Sequence, residues 1–302
     1  MPALSNLSAP AKLNLFLHVT GRRPDGYHLL QSVFALIDWA DTLHVETRPD
    51  GQLRRHDLGP ALPPDDLCLR AARLLQHASG THLGADIHID KQVPWGAGMG
   101  GGSSDAATVL VALNQLWALD WPAERLVNLA LALGADVPFF IRGRHAWVEG
   151  IGEQITPLTL PCELLATPLA VLKPPVAVPT MAIFSSPALK RNTPRAIVAA
   201  FLAAPKRFGH NDLQAPAMAY SGEVGRALEI MQGRFGNSRM TGSGSAVFSW
   251  VEPGLSTSPH LSSFSPAEFG LDDPAWAGRL CRLLPDQRKT SPRSEIDEKS
   301  SI

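Results

Sequence analysis

A glycine-rich stretch at residues 91–108 has the composition of an anion-binding loop. It carries five glycines within seven positions: Gly96, Gly98, Gly100, Gly101 and Gly102. The alternating run at 85–90 before it predicts a strand, and the apolar spacing at 105–119 after it predicts a helix. Ser103 or Ser104 is expected to cap that helix. Free backbone N–H groups at a helix N-terminus favour a phosphate, so a glycine turn without a ligand is the weaker interpretation.

The spacing of these glycines fits more than one kind of phosphate site. A P-loop would end in Gly-Lys-Ser or Gly-Lys-Thr, and the stretch has no such end. Gly96, Gly98 and Gly101 match the dinucleotide fingerprint, and Asp120 stands near its acidic position. That acid should end a second strand, whereas Asp120 is followed by the pattern of a helix start. A nicotinamide oxidoreductase is therefore kept only as an alternative.

A lysine and an aspartate outside the glycine stretch could supply charge and proton-transfer chemistry. Lys12 and Asn14 lie on one face of a strand predicted over residues 8–20, opposite its apolar residues. From spacing alone, a lysine in a strand is expected on a solvated edge. Asp136 follows a helix stop at Gly134 and precedes an apolar run. Its local sequence leaves a helix cap and a site residue equally open.

Length, charge and cysteine content limit the class of protein. A chain of 302 residues with 45% apolar residues suggests one large or two ordinary domains with a sizeable core. It has 27 Lys and Arg against 28 Asp and Glu, so we expect neither a nucleic acid nor a membrane as partner. Cys68, Cys162 and Cys281 have no metal-like spacing and predict buried thiols in a reducing compartment. Without a signal sequence or a long apolar run, we expect a cytoplasmic protein. The oligomeric state stays open.

Two stretches of the first half give expectations about the elements around these residues. Residues 31–37 and 42–47 alternate as two strands, which we expect to be joined by a turn at 38–41. The polar stretch at 50–64 contains glycine and proline and predicts a loop. Asp66 is expected to start the helix that follows this loop.

The second half is expected to carry a second glycine turn and a less regular end. Residues 239–245 predict the turn, and the apolar run at 246–251 predicts the strand that follows it. The stretch at 256–265 predicts a loop. Residues 276–284 predict a last helix, or the strand and helix that end a second domain. From residue 286 onward the chain is charged and rich in serine, which is typical of disorder.

Three segments of the chain together resemble the 4-diphosphocytidyl-2-C-methyl-D-erythritol kinases, a family of GHMP kinases in the non-mevalonate isoprenoid pathway. They are residues 10–17 with 23–28, residues 94–107, and residues 133–139. The middle segment is similar to the GHMP motif Pro-x-x-x-Gly-Leu-Gly-Ser-Ser-Ala, with Met99 in place of leucine. The motif alone indicates the superfamily, and the Lys12 to His28 segment indicates the family. The resemblance covers roughly residues 5–252.

The resemblance implies an α+β fold, the two-domain GHMP kinase fold with the active site in the interdomain cleft. The N-terminal domain, with a mixed sheet, would span residues 1–155. The C-terminal domain, with an antiparallel sheet, would span 156–285, and a disordered tail would follow at 286–302. The implied reaction is ATP-dependent phosphorylation of the 2-hydroxyl of the cytidyl substrate. Mg²⁺ is expected together with ATP, and its protein ligands stay unknown.

The resemblance also implies roles for individual residues. Asp136 would accept the hydroxyl proton, and Lys12 would hold Asp136 ionised and compensate charge on the transferred phosphoryl group. Asn14, Tyr27 and His28 would bind the substrate together with Asp136. The implied ATP-binding residues are Lys91, Pro94, Trp95, Gly96, Ala97, Gly98, Met99, Gly100, Gly101, Gly102, Ser103 and Ser104. One departure is Asp66, because the family usually has asparagine at that position.

Two further alternatives stay open at this point. The chain could be another small-molecule GHMP kinase, of the homoserine or mevalonate type. It could also be a non-catalytic nucleotide-binding module that has kept the loop and lost the chemistry. The presence of both Lys12 and Asp136 argues against the second alternative.

Overall fold

Two β-sheets with their covering helices make up the computed structural model of the chain, which describes residues 1–59, 61–252 and 264–285. The predicted disordered tail at 286–302 and most of the predicted loop at 256–265 lie outside these residues. In the described part of the chain, no helix has both the length and the apolar character needed to cross a membrane.

A long antiparallel hairpin forms the frame of the first sheet. Its strands are β1, Ala3–Arg22, and β2, His28–Arg48. On the side away from β1, β2 pairs with two further strands. Each of these two strands in turn pairs with an outer strand of the sheet. The four strands are β3 (Leu53–Asp57), β4 (Gly84–Asp90), β5 (Ala146–Gly150) and β6 (Gln154–Pro157). Only the β3–β4 pair is parallel among the pairs described, so the sheet is mixed, as predicted.

Two sequence predictions about this sheet were wrong. The predicted turn at 38–41 does not form, and β2 runs through it as one strand. The polar residues there find partners inside the fold: Asp38 accepts the backbone N–H of Arg282 at 2.9 Å, and Asp41 is fully buried beside Lys91. The predicted loop at 50–64 contains β3, because this short segment pairs with β4 along the sheet edge.

Four helices belong to the first half of the chain. They are α1 (Leu67–Ser79), α2 (Gly101–Leu116), α3 (Ala123–Ala130) and α4 (Val137–Arg142). Apolar residues of all four share one buried cluster with β2 and β4. Asp66 starts α1 as predicted, since its carboxylate accepts the Leu69 N–H at 3.1 Å.

The second sheet is antiparallel throughout its described strands. Its order is β10 (Ala277–Cys281), β7 (Leu169–Lys173), β9 (Val247–Trp250) and β8 (Arg239–Met240). The helices are α5 (Cys162–Ala166), α6 (Thr180–Ser185), α7 (Val198–Ala203), α8 (Gln214–Tyr220) and α9 (Gly222–Phe235), with a 3-10 turn at Pro266–Phe269. No helix forms at 276–284. Of the two predictions for this stretch, the strand is the correct one, since Ala277–Cys281 forms β10 and Leu283 makes an isolated bridge with Ile37.

The two halves share backbone hydrogen bonds and a core. Leu17 N–H donates to the carbonyl of His210 at 2.9 Å, and Asp212 N–H donates to the carbonyl of Leu17 at 2.8 Å. One buried cluster combines residues of β1 with residues of β7 and β9. The α+β class is confirmed, whereas the division at 155/156, which falls within β6, stays a prediction.

The cysteine prediction held for two residues and failed for one. Cys68 and Cys281 are buried free thiols, and burial raises the pKa of both. Cys162 is a free thiol on the surface, since it is the first residue of the short helix α5 and only Leu164 of that helix is buried. The expectation that all three thiols are buried was therefore wrong.

Candidate active site

The ammonium group of Lys12 lies inside the protein rather than on a solvated edge. Lys12 is 3% exposed, because both faces of β1 are covered in this region. Its Nζ donates to Asn14 Oδ1 at 2.6 Å and to the carbonyl of Gly98 at 3.1 Å. The same nitrogen lies 3.7 Å from Asp136 Oδ2 and 4.7 Å from the centre of the Phe34 ring. Burial lowers the pKa of Lys12, and the neighbouring Asp136 opposes that shift.

Asp136 occupies the position before α4, and its side chain is directed to a site rather than to the helix. Its side chain makes no capping hydrogen bond to α4. The carboxylate is about one-third exposed, at 33%, and it lines the same cavity as Lys12. The fold therefore joins a lysine from the first strand to an aspartate from the fourth helix. This is the pair that the sequence resemblance selected.

The first glycine turn packs backbone against backbone on the second one. Gly98 has φ +73°, and a Cβ on it would lie 2.6 Å from the carbonyl oxygen of Thr241. A Cβ on Gly242, with φ +55°, would lie 2.6 Å from the carbonyl oxygen of Gly98. No other residue type fits either position without displacing the opposite turn. The glycines thus serve the contact between the two halves as well as access to a ligand.

Helix α2 begins earlier than the sequence suggested. The predicted caps, Ser103 and Ser104, lie inside the first turn, and the cap is Gly100 in the left-handed conformation at φ +73°. A glycine can adopt that conformation without strain, so the helix starts directly after the turn. The Ser104 hydroxyl is buried and has no hydrogen-bond partner among the described residues. The helix N-terminus therefore faces the loop with its first N–H groups uncapped by a side chain.

Polar side chains hold the second glycine turn in place. Asn14 N–H donates to Thr241 Oγ1 at 2.8 Å, and the Asn14 side chain donates to Ser32 Oγ at 2.9 Å. Asn211 Nδ2 donates to the carbonyls of Met240 and Gly242 at 2.8 and 2.9 Å. Gly242 also borders the cavity. Asn14 therefore contacts the ammonium of Lys12 and the second turn at the same time.

Lys91 lies beneath the glycine turn in a buried cluster of charges. Its ammonium lies between the carboxylates of Asp41 and Asp105, at 2.7 Å from Asp105 Oδ2. Burial raises the pKa of Asp105. Asp41 also accepts the backbone N–H groups of Gln92 and Val93, at 2.7 and 2.8 Å, so the cluster holds the chain entering the glycine turn. The role of Lys91 in ATP binding stays a prediction.

The cavity has a volume of about 860 Å³ and reaches from the glycine turns to the start of β2. Of the predicted ATP-binding residues, Gly98 and Gly100 line the cavity. The rest of the glycine turn consists of Pro94, Trp95, Gly96, Ala97 and Met99. The first turn of α2 consists of Gly101, Gly102, Ser103 and Ser104. At the far end lie Tyr27, which is 60% exposed, and His28.

Sequence reasoning missed two residues at the far end of the cavity. The Phe184 ring stacks on the imidazole of His28, with centroids 5.1 Å apart and planes at 28°. Arg191 lines the same cavity and donates from Nε to His28 Nε2 at 3.0 Å. Neither residue stands in a motif, and only the fold of the second half brings them to the first.

Comparison with known proteins agrees with this geometry. The model for the GHMP kinases N terminal domain matches residues 66–144. The 4-diphosphocytidyl-2-C-methyl-D-erythritol kinase of Methylibium petroleiphilum is 64% identical over 284 residues, covering 94% of this chain and 96% of the relative. The protein of the same name from Paracidovorax citrulli is 58% identical and covers 82% and 87%. The chain belongs to the 4-diphosphocytidyl-2-C-methyl-D-erythritol kinase family.

Solved structures give the same result for the fold. A crystal structure of 4-(cytidine 5'-diphospho)-2C-methyl-D-erythritol kinase superposes with a TM-score of 0.73 at 35% identity, covering 93% of this chain and 99% of the other. The mevalonate kinase of Methanococcus jannaschii has a TM-score of 0.65 at 13% identity, covering 94% and 98%. The second likeness shows the shared fold alone. The predicted family and fold are confirmed, the protein is a kinase, and the nicotinamide alternative is set aside.

The contact between the two glycine turns gives a direct test. We expect Gly98→Ala to lower the free energy of unfolding by about 1–3 kcal/mol, because the residue is left-handed and its Cβ would meet the Thr241 carbonyl. Gly102→Ala is the matched control, since its Cβ would make only an ordinary contact of 3.6 Å with Leu67 Cδ1. An alanine in that helix is expected to leave stability unchanged or raise it by up to about 1 kcal/mol. Urea unfolding of both variants measures the difference, and equal effects would contradict the packing argument.

Proposed function

We propose that the family's reaction, ATP-dependent phosphorylation of the 2-hydroxyl of 4-diphosphocytidyl-2-C-methyl-D-erythritol, takes place in this cavity with Lys12 and Asp136 as its catalytic pair. The observation that carries the proposal is the 3.7 Å approach of Lys12 Nζ to Asp136 Oδ2 beside the Gly98 carbonyl. A small phosphorylated substrate fits a cavity of this size. We place the reaction in the cytoplasm, because the three cysteines are free thiols, as is typical of a reducing compartment.

Asp136 is proposed as the acceptor of the substrate proton. Its carboxylate takes the proton of the 2-hydroxyl while the hydroxyl oxygen forms a bond to the γ-phosphorus of ATP. The bond from that phosphorus to the β–γ bridging oxygen breaks, and ADP leaves with the electron pair. The carboxylate is partly exposed to the cavity, so it can reach a substrate hydroxyl without a change in the fold.

Lys12 is proposed to stabilise the negative charge of the reaction. Two of its three N–H donors are held by Asn14 and by the Gly98 carbonyl, which fixes the ammonium in one position. The ammonium therefore stays next to Asp136 and faces the place where a phosphoryl oxygen gains charge. A preorganised cation of this kind needs no rearrangement at the moment of transfer.

The phosphates of ATP are proposed to bind along the first glycine turn and the N-terminus of α2. Gly100 caps that helix without a side chain, which leaves its first N–H groups available for anions. Mg²⁺ would accompany ATP and would supply positive charge to its phosphates. In the described part of the chain there is no group of three or more His, Cys, Asp or Glu side chains that could hold a metal ion alone. Asp136 is the carboxylate that lines the cavity beside Lys12, so it is the protein group that we expect nearest to the ion.

The cytidyl end of the substrate is proposed to bind at Tyr27 and His28. The exposed phenol ring of Tyr27 offers a flat apolar face, and His28 adds a ring with hydrogen-bonding nitrogens. Asn14 lies at the opposite end, next to Lys12, where the methylerythritol hydroxyls would reach the phosphoryl group. The substrate would thus extend along the cavity from the glycine turns to the start of β2.

A coupled ADP-release assay tests the function and the role of Asp136 together. We expect rapid ADP release with the cytidyl substrate and none above background with homoserine or mevalonate. Asp136→Asn is expected to lower kcat by about 10²–10⁴-fold with little change in ATP binding, because the amide cannot accept the proton. Preference for homoserine or mevalonate would instead favour another GHMP kinase activity, and ATP binding without turnover would favour the non-catalytic alternative.

Asp25→Asn serves as the control for that variant. Asp25 lines the same cavity, but it pairs with Arg23 at 2.6 Å and lies at the end away from Lys12. It removes one carboxylate charge from the cavity, as Asp136→Asn does. We expect a far smaller loss of kcat than in Asp136→Asn. Similar losses in the two variants would mean that the cavity's net charge, and not a proton acceptor at residue 136, limits turnover.

The two tyrosines of the chain allow a matched test of the cytidyl end. Tyr27→Ala is expected to raise the KM for the cytidyl substrate about tenfold or more and to leave the KM for ATP nearly unchanged, because one base–aromatic stacking contact is lost. Tyr220→Ala removes a similarly exposed ring from α8, outside the cavity, and should change neither value. Steady-state kinetics with each substrate varied in turn gives the comparison. Equal rises in both KM values for Tyr27→Ala would contradict the stacking role.

A further inference from the structure

Three buried charges lie beneath the first glycine turn, next to the start of α2. The ammonium of Lys91 contacts the carboxylate of Asp41, from β2, and that of Asp105, which lies one helical turn after the first residue of α2. A Cβ on Gly101, that first residue, would lie 3.3 Å from Lys91 Nζ. The three residues, here called the acid–lysine cluster, therefore adjoin the N–H groups at which the ATP phosphates are proposed to bind.

The acid–lysine cluster holds both ends of the turn. Asp41 Oδ1 accepts the backbone N–H groups of Gln92 and Val93, where the chain enters the turn, at 2.7 and 2.8 Å. At the other end, Asp105 Oδ2 accepts from Lys91 Nζ at 2.7 Å. A change in the charge of the cluster would therefore act on the backbone that surrounds the phosphates.

The charges of the cluster do not balance without a bound proton. One ammonium faces two carboxylates, and Asp41 and Asp105 are 0% and 2% exposed. Asp105 Oδ1 is buried and has no hydrogen-bond partner among the described residues. A proton on Asp105 removes the excess negative charge and gives a donor that Asp41 can accept. Burial raises the pKa of Asp105, the charge of Lys91 opposes this shift, and Asp41 adds to it.

The groups that face Asp105 from α1 do not balance this negative charge. Cys68 lies beside Asp105, and burial raises the pKa of its thiol well above the usual range, so the thiol stays neutral. Asp66 lies next to Cys68 and is itself paired with Arg55 at 2.9 Å. The excess negative charge of the cluster is therefore not compensated from the side of α1.

We propose that one proton, shared by Asp105 and Asp41, neutralises the acid–lysine cluster and that ATP binds the glycine turn preferentially in this protonated state. The inference rests on the proposed function, because it concerns how the same turn binds the phosphates of ATP. Without the proton, a negative charge in a buried, weakly screened place repels phosphates bound about one helical turn away. The proton comes from solvent and belongs to the pair of carboxylates rather than to either one. Asp41 and Asp105 act here as positioning residues and do not contact ATP.

Calorimetric titration of the full-length enzyme with Mg-ATP, without the cytidyl substrate, measures this linkage. Each titration between pH 7.5 and 9.5 is run in two buffers with different ionisation enthalpies, so that the difference in heat gives the protons taken up. A terminal phosphate with a pKa of about 6 does not titrate in this range. We expect proton uptake on ATP binding and a Kd that rises about tenfold from pH 7.5 to pH 9.5. A Kd that does not change with pH, with no proton uptake, overturns the inference.

The Asp105→Asn variant assigns the proton to the cluster. The amide has nearly the shape of the carboxyl group, and the charges of Lys91 and Asp41 then balance without a proton. We expect no proton uptake and a Kd that stays within about twofold of the wild-type value at pH 7.5 over the whole range. Asp41→Asn makes the same change in charge and is expected to give the same flat profile if Asp105→Asn does not fold. Wild-type proton uptake in either folded variant overturns the inference.

Two control variants test the other groups that could bind the proton. Cys68→Ala removes the thiol beside Asp105. Lys12→Met removes the other buried ammonium near the turn, whose pKa is lowered by burial. Both variants should keep the proton uptake and the pH dependence of the ATP Kd, whatever their turnover. Loss of the uptake in either variant would assign the proton to that group and refute the role of Asp105.

The outcomes separate this inference from the proposed function. ATP binding without proton uptake, together with phosphorylation of the cytidyl substrate, refutes the inference alone. Absence of ATP binding at every pH refutes the proposed function and the inference with it. A merely structural role of Asp105 would weaken ATP binding in Asp105→Asn equally at every pH and leave the pH dependence in place, which also counts against the inference.

Discussion

The burial of the Lys12 ammonium is the constraint on which the rest of the structure depends. Moving a charged amine out of water costs several kcal/mol unless fixed partners compensate it. The three groups around Nζ come from different parts of the fold: Asn14 from the same strand, the Gly98 carbonyl from the first glycine turn, and Asp136 from the start of α4. The strand, the turn and the helix must therefore meet at one point. That meeting point is also where a phosphoryl group would carry its charge.

The partners of Lys12 also connect the two halves of the molecule. Asn14 accepts from the ammonium with its side chain and donates from its backbone to Thr241 in the second glycine turn. That turn rests on Gly98 at a distance that excludes any Cβ, and Asn211 holds it from the other side. A change in the contact between the halves would therefore move the Gly98 carbonyl and the ammonium together. The second half thus takes part in the phosphate end of the cavity as well as in the cytidyl end.

Parts of the site were predictable from the sequence, because short-range residue patterns encode them. The glycine spacing indicated the turn, and the alternation at residues 8–20 indicated the strand that carries Lys12. The local sequence left Asp136 open between a helix cap and a site residue, and the family resemblance selected it. The burial of Lys12 was not predictable, because local alternation cannot show that a second layer covers the polar face of a strand. The cap of α2 was misassigned for a similar reason, since a left-handed glycine leaves no side-chain signal. Arg191 was missed because its partner, His28, lies far away in the chain.

A crystal structure with the cytidyl substrate and a non-hydrolysable ATP analogue bound together tests the roles of Lys12 and Asp136 most directly. The quantity to measure is the distance from the 2-hydroxyl oxygen to the carboxylate of Asp136. We predict a distance of about 2.6–3.2 Å, with the γ-phosphate analogue against the first glycine turn and Lys12 Nζ next to both the hydroxyl and the phosphate. A complex in which the 2-hydroxyl lies against another group, with Lys12 and Asp136 contacting neither ligand, would contradict it.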